Sequence, residues 1–299
     1  MIQHPARLSV AGLLLFWVGC HAPASGDFSG GDPERGRNIA ALAGGCGCHT
    51  ERGGPLLGGG NAVETPFGSF YATNITSDPV HGIGAWTDSE IEQALRVGTL
   101  PDGSVEAPVM PYYRYAGMSD QDIRDLIAWL RTVPPSDRPN QPDEVWLPLP
   151  SLAMRAWRTL FVKSVDPPEV APQGADRGRY LTDSIAICGD CHTPRNLVGA
   201  PKRSLYLAGA AHLPGGEKAP NITPDKETGI GDWDVADITA SLEMGMLPNM
   251  DNVQGYMEEV VDGVSGGPGY AHAELADLEA IAAYIASVPA IRHEPGTGD

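Results

Sequence analysis

The sequence predicts an all-α protein built from two tandem units, each of about three helices joined by long loops. An internal duplication and a set of helix start and stop signals carry this reading. No stretch alternates with the two-residue period of a strand. Arg35-Gly36-Arg37 recurs as Arg177-Gly178-Arg179 at an offset of 142. Asn74-Ile75-Thr76 recurs as Asn221-Ile222-Thr223, and Gly82-Ile83-Gly84-Ala85-Trp86 as Gly229-Ile230-Gly231-Asp232-Trp233, both at 147. The last helices match at 155, where Ile123, Leu126, Ile127, Leu130 and Val133 correspond to Leu278, Ile281, Ala282, Ile285 and Val288. An offset that only ever grows indicates one ancestral unit with short loop insertions.

Taken in order, residues 1–25 predict an export signal. Arg7 stands in a short polar start, and Leu8 to Val18 is apolar but too short to span a bilayer. Two cleavage readings stand. Val18-Gly19-Cys20 resembles a lipobox that would lipidate Cys20, whereas Ala22-Pro23-Ala24 suits ordinary signal removal. Either way the expected location is the periplasm, with Cys20 the one candidate membrane anchor. The first domain spans 31–135. Asp32 is its N-cap with Pro33 at N1. Its middle helix opens on Thr87 and Glu90, spaced as a capping box, and stops at Gly98. Its last helix runs from Ser119, with Asp122 three on, to just before Pro134-Pro135. Residues 136–173 form a linker in which Leu149 to Val162 predicts a short amphipathic helix packed between domains. The second domain, 174–290, places Asp234, Asp237 and Gly245 where the first has Thr87, Glu90 and Gly98. Residues 291–299 are expected to be a flexible tail.

The chemistry-bearing stretch is Cys188-Gly189-Asp190-Cys191-His192. Two thiols three apart with a histidine directly after the second form the C-x-x-C-H pattern of covalent c-type haem attachment. One helical turn puts both sulfurs on one side, facing the two vinyl groups of a porphyrin, and the next residue offers imidazole as proximal iron ligand. A zinc half-site or redox dithiol would share the thiols but has no need of the adjacent histidine, and export favours haem. The duplication places a second motif at Cys46-Gly47-Cys48-His49, one residue shorter. Arg37 to Cys46 and Arg179 to Cys188 are both nine positions, so the missing residue lies between the cysteines. Residues two apart do not share a helix face, which leaves two geometries open. One is a strained turn with both thioether bonds; the other is a single bond with a spare thiol. In both, His49 holds the iron; the competing reading is a domain that has lost its haem.

A sixth ligand of methionine sulfur raises the potential and closes the iron to other ligands. Of eight methionines, one pair keeps register: Met110 and Met257 each lie 36 residues after the asparagine and 24 after the tryptophan of their own unit. Met250 or Met246 is the fallback in the second unit. Trp86, Trp233 and the two Asn-Ile-Thr triplets either line the haem edge or serve packing.

The formal charge is −18, and loss of Met1–Gly19, with only Arg7 charged, leaves about −19. That balance argues against a nucleic-acid partner and favours steering toward basic surfaces.

The chain resembles the dihaem c-type cytochromes, which look like two class I cytochrome c domains in tandem. It is especially similar to the cytochrome subunits of periplasmic alcohol and gluconate dehydrogenases. The resemblance runs from about Pro33 to Pro289. It rests on Cys188–His192 with Thr193-Pro194-Arg195-Asn196, the Asn-Ile-Thr and Gly-Ile-Gly-x-Trp blocks, Met110-Pro111, and Met257-Glu258-Glu259-Val260-Val261. Those subunits usually carry three haems, whereas this chain has cysteines for two. The resemblance implies two haem c groups and single-electron relay without substrate chemistry. The expected partners are redox proteins: a dehydrogenase subunit, a terminal oxidase or a small cytochrome. The competing reading is a haem enzyme, a peroxidase or sulfur-compound oxidoreductase, with an open sixth position at one iron.

Overall fold

The computed structural model describes residues 30–146, 150–163, 165–213 and 216–296. The export segment and Cys20 lie outside the described residues. In the first half, α1 (Pro33–Leu42) packs across α4 (Asp120–Leu130), with α2 (Asp88–Val97) and the short α3 (Tyr112–Tyr115) between them in the chain. In the second half, α6 (Ala175–Ser184) packs across α10 (Leu275–Ser287), with the short α7 (Cys188–Cys191), α8 (Val235–Glu243) and the short α9 (Tyr256–Asp262) between. The three expected long helices per half are present, and short helical turns are added to them.

Local signals explain most boundaries. Asp32 accepts from Glu34 N with Pro33 following, and Thr87–Glu90 and Asp234–Asp237 form reciprocal capping boxes. Gly98 ends α2 in the left-handed region at φ 63°. The apolar stripes Ile123, Leu126, Ile127, Leu130 and Leu278, Ile281, Ala282, Ile285 are buried in one continuous core. The Arg-Gly-Arg repeat owes its glycine to helix crossing. A methyl group on Gly36 would meet the Asp125 carbonyl at 1.9 Å, and one on Gly178 would meet that of Ala280 at 2.0 Å.

The expectation of an all-α chain needs correction. Residues Ala62–Thr65 (β1), Gly68–Tyr71 (β2) and Glu144–Val145 (β3) form a small antiparallel sheet in the order β1-β2-β3. Its strands are too short for a period of two to register, and Phe70 is their one buried side chain. Trp146 then fastens the edge by donating to Pro66 O at 3.1 Å.

The linker helix, α5 (Pro150–Phe161), touches both halves. Arg158 donates to Val97 O at 3.0 Å and Trp157 Nε1 to Val198 O at 2.9 Å. The stretch expected as a flexible tail is fastened over 291–293. Asn221 Nδ2 donates to Ile291 O at 2.8 Å, and Arg292 pairs with Glu227.

The halves clasp each other reciprocally. Tyr180, on α6, accepts from Ser119 N at 2.8 Å and donates to Asp122 at the start of α4. Its register counterpart Asn38, on α1, accepts from Glu274 N at 2.8 Å and donates to Asp277 at 3.1 Å at the start of α10. Each first helix thus caps the last helix of the other half.

Candidate haem centres

Each motif begins where a first helix ends. After α1 the chain turns through Gly44–His49, a tight 3₁₀ stretch in which Gly44, Gly45 and Cys46 all take positive φ. After α6 a single left-handed residue, Ile187 at φ 46°, sets up α7. The shortened motif therefore pulls its left-handed turn into the first cysteine (φ 53°, ψ 35°), and the glycines before it make that affordable. Despite the deletion the thiols of the two motifs match in exposure. Cys46 and Cys188 are half-buried, and Cys48 and Cys191 are exposed.

The imidazoles are set identically. His49 Nδ1 lies 2.7 Å from Thr73 O, and His192 Nδ1 lies 2.8 Å from Pro220 O. A carbonyl only accepts, so Nδ1 carries the hydrogen and Nε2 keeps its lone pair for a metal. Burial lowers the pKa of both rings, which favours the neutral, ligating form. Thr50 and Thr193, directly after each histidine, are buried and accept from Leu57 N and Leu207 N at 3.0 and 3.1 Å. The accepting carbonyls and these threonines carry no motif of their own. The signal was available: Thr73 and Pro220 each precede an Asn-Ile-Thr triplet, and His-Thr occurs at both motifs.

The thiols bear on what the sites hold. Burial pushes Cys46, Cys188 and Cys191 up to about 12 and raises Cys48 as well. Cys48 and Cys191 are nevertheless exposed to solvent. Cys48 and Cys191 are thus crowded by protein yet open to solvent on one side, where a porphyrin could reach their sulfurs. A working redox dithiol needs a lowered thiol pKa, and these are raised. Among the described residues no three His, Cys, Asp or Glu side chains converge to hold a bare metal ion. The donor set fits haem.

The methionines sort by burial. Met118 is core at 1 % exposure, while Met244, Met246 and Met250 are surface residues, Met250 at 80 %. Met110 is half-buried in the turn before α3, and Met257 is half-buried in the first turn of α9, against the core. The Asn-Ile-Thr triplets are structural. Asn74 and Asn221 each accept from the threonine two residues on and donate to the chain beyond the last helix of their half.

The two sites face one another. α9 packs on Gly44–His49, with Val260 against Gly44, and Arg52 pairs with Glu259. Reciprocally, Arg114 of α3 pairs with Asp190 inside the second motif at 2.9 Å. Half-buried Tyr115 lies near Cys46, Cys48 and Cys191, and buried Tyr270, 155 positions on, near Cys188 and Cys191; desolvation raises each well above the ordinary tyrosine range.

No family model matches the sequence. A "Diheme cytochrome c-type" protein of Cereibacter sphaeroides is 38% identical over 96% of this chain and 97% of its own length. The fructose dehydrogenase cytochrome subunit of Gluconobacter japonicus is 37% identical over 86% of this chain. The cytochrome c subunit of the quinone-linked alcohol dehydrogenase of Gluconobacter oxydans is 36% identical over the same share. The chain spans 52% and 55% of those two subunits, about half the length of each. Near-complete mutual coverage with the first relative, joined to two matched Cys-His sites, places this electron-carrying chain in the dihaem c-type cytochrome family.

Proposed function

We propose that this protein takes single electrons from a dehydrogenase and passes them to an oxidase or a smaller carrier in the periplasm. The dehydrogenase is supported by the similarity to cytochrome subunits of such enzymes. When bound, haem iron supplies reversible one-electron chemistry. The chain's part is to fix ligands, exclude competing ligands and hold two centres against each other. The observation that carries the reading is the matched pair of imidazoles, each next to a cysteine and each locked by a carbonyl so that Nε2 is free. In this reading His49 and Met110 ligate one iron and His192 and Met257 the other. Cys188 and Cys191 form two thioether bonds.

At the first site we assign one thioether, through Cys48, which stands before His49 as Cys191 stands before His192. Cys46 sits in a left-handed turn with its side chain against the core. Export and a lipid anchor at Cys20 complete the proposal. No helix of the described residues is long and apolar enough to cross a membrane.

Intact mass and pyridine haemochrome spectra test the reading. The mature chain carries two haems, Cys46→Ser keeps both, and Cys48→Ser frees one on denaturation. A single haem on the wild-type chain, or two retained by Cys48→Ser, refutes it. Carbon monoxide binding by the reduced protein would show an open iron and point to a haem enzyme. Acyl labelling of Cys20, and its loss under globomycin, tests the anchor.

A further inference from the structure

α5 has no buried residue, yet it is firmly attached. Arg155 donates to Gly103 O at 2.8 Å, Arg158 to Val97 O and Thr99 Oγ1, and Trp157 Nε1 to Val198 O. These anchors leave apolar side chains facing solvent: Leu152 at 61 % and Leu160 at 75 % exposure, joined by Leu197 at 98 % on the loop that Trp157 grips. That loop is held rigidly outward. Asn196 N donates to Ala200 O at 2.9 Å, Lys202 N to Pro194 O at 2.8 Å, and Arg195 to Gly199 O at 2.8 Å. A single exposed leucine needs no explanation, but several on two elements fastened together form a patch.

The charge there departs from the rest of the molecule. The chain carries −18 overall. Arg155, Arg158 and Lys163, on and just after α5, and Lys202 and Arg203, at the foot of the loop, meet no carboxylate at ion-pair distance among the described residues. The two arginines bond only to neutral oxygens among the described residues. A strongly acidic protein thus keeps five unpaired cations around one apolar patch.

The patch is also continuous with the second haem site. The Trp157 and Tyr113 rings lie 5.7 Å apart, and the Tyr113 hydroxyl donates to Asp190, inside Cys188–His192, at 2.9 Å. Arg195, three residues beyond His192, donates to the same hydroxyl at 3.1 Å. Two side chains therefore separate the surface from the haem-attachment segment.

We propose that the face formed by α5 and residues 195–203 docks a redox protein whose contact patch is apolar and rimmed by carboxylates, and that electrons cross it to or from the second haem. The proposal deepens the electron-relay reading and rests on it. An anionic bilayer would match the same chemistry. Continuity with Cys188–His192 favours a protein, because only an occupant that exchanges electrons gains from being there.

Stopped-flow oxidation of the fully reduced chain by plastocyanin, an acidic blue-copper protein, tests this. One electron leaves Fe(II) and reduces Cu(II) to Cu(I), so both spectra report the step. The triple variant Lys163→Glu, Lys202→Glu, Arg203→Glu should slow the second-order rate about tenfold or more at low ionic strength. The gap should shrink at high salt. Leu160→Ser with Leu197→Ser should slow it several-fold at every salt concentration. Both variants should keep wild-type haem spectra and wild-type reduction by dithionite, which shows that they are folded and loaded. Unchanged plastocyanin rates in both variants overturn the proposal. So does binding of the wild-type chain to phosphatidylserine–phosphatidylcholine vesicles that both variants lose while their plastocyanin rates stay unchanged, since the face would then be a membrane surface. A colourless wild-type chain would instead end the electron-relay reading itself.

Discussion

Gly36→Ala is the sharpest test of how the fold delivers the first haem site. The added methyl carbon would lie 1.9 Å from the Asp125 carbonyl oxygen and 2.8 Å from Trp129 Cβ, whereas real Cβ contacts essentially never fall under 3.0 Å. α1 and α4 must therefore separate by about 1 Å, and the obstacle is backbone that no rotamer change relieves. Overpacking of this kind costs about 1–3 kcal/mol or more. Against it stands the gain of up to about 1 kcal/mol from replacing a helical glycine by alanine. The clash wins, and we expect a net loss of about 2 kcal/mol, or roughly 4–8 °C in Tm for a chain of this size. α1 runs into Gly44–His49 two residues after its end, so the spectrum of the first haem should change as well. Arg37→Ala, on the exposed side of the same turn, should stay within about 0.5 kcal/mol of wild type. Thermal and denaturant unfolding of the loaded protein followed in the Soret band would measure both. A Gly36→Ala protein as stable as wild type would refute the crossing argument, and Gly178→Ala repeats the test at the 2.0 Å approach to Ala280 O.

Met257→Ala should abolish the thioether-to-iron absorption of one haem and Met110→Ala that of the other; a spectrum unchanged in either variant removes that residue from the ligand set. Tyr180→Phe strips a buried hydroxyl from Ser119 N and Asp122, and should cost about 1–3 kcal/mol in denaturant titrations. Glu106 is desolvated, with no hydrogen-bond partner for Oε2 among the described residues, and its pKa is raised from 4.5 to about 7. Between those values the folded chain holds more protons than the unfolded one, so this group makes stability fall as pH rises from about 4.5 to 7. Glu106→Gln should flatten that fall and stabilise the protein at pH 8 by roughly 1–3 kcal/mol. An unchanged pH profile would remove the carboxyl from the account.

The long helices were legible in the sequence because their signals are local, whereas the short α3, α7 and α9 were not. Asp32, Thr87 with Glu90, Ser119, and Asp234 with Asp237 all act on backbone within four residues, so each declares a boundary without reference to the rest of the chain. Periodicity gave the core in the same way, and cofactor chemistry was written in Cys188–His192 and in the shortened copy at Cys46–His49. The small sheet was illegible for the opposite reason, since β3 meets β2 across more than seventy residues and the strands hold one buried side chain between them.

Tertiary structure alone decided how the two halves meet and which ring nitrogen is free. The carbonyls that lock His49 and His192 come from residues 24 and 28 positions away. The clasp from Asn38 to Glu274 spans 236 positions. A backbone carbonyl has no side-chain identity, and a partner that distant is chosen by how helices cross. Sequence fixes such a contact only through the whole fold, which is why the motif named the ligands while the packing oriented them.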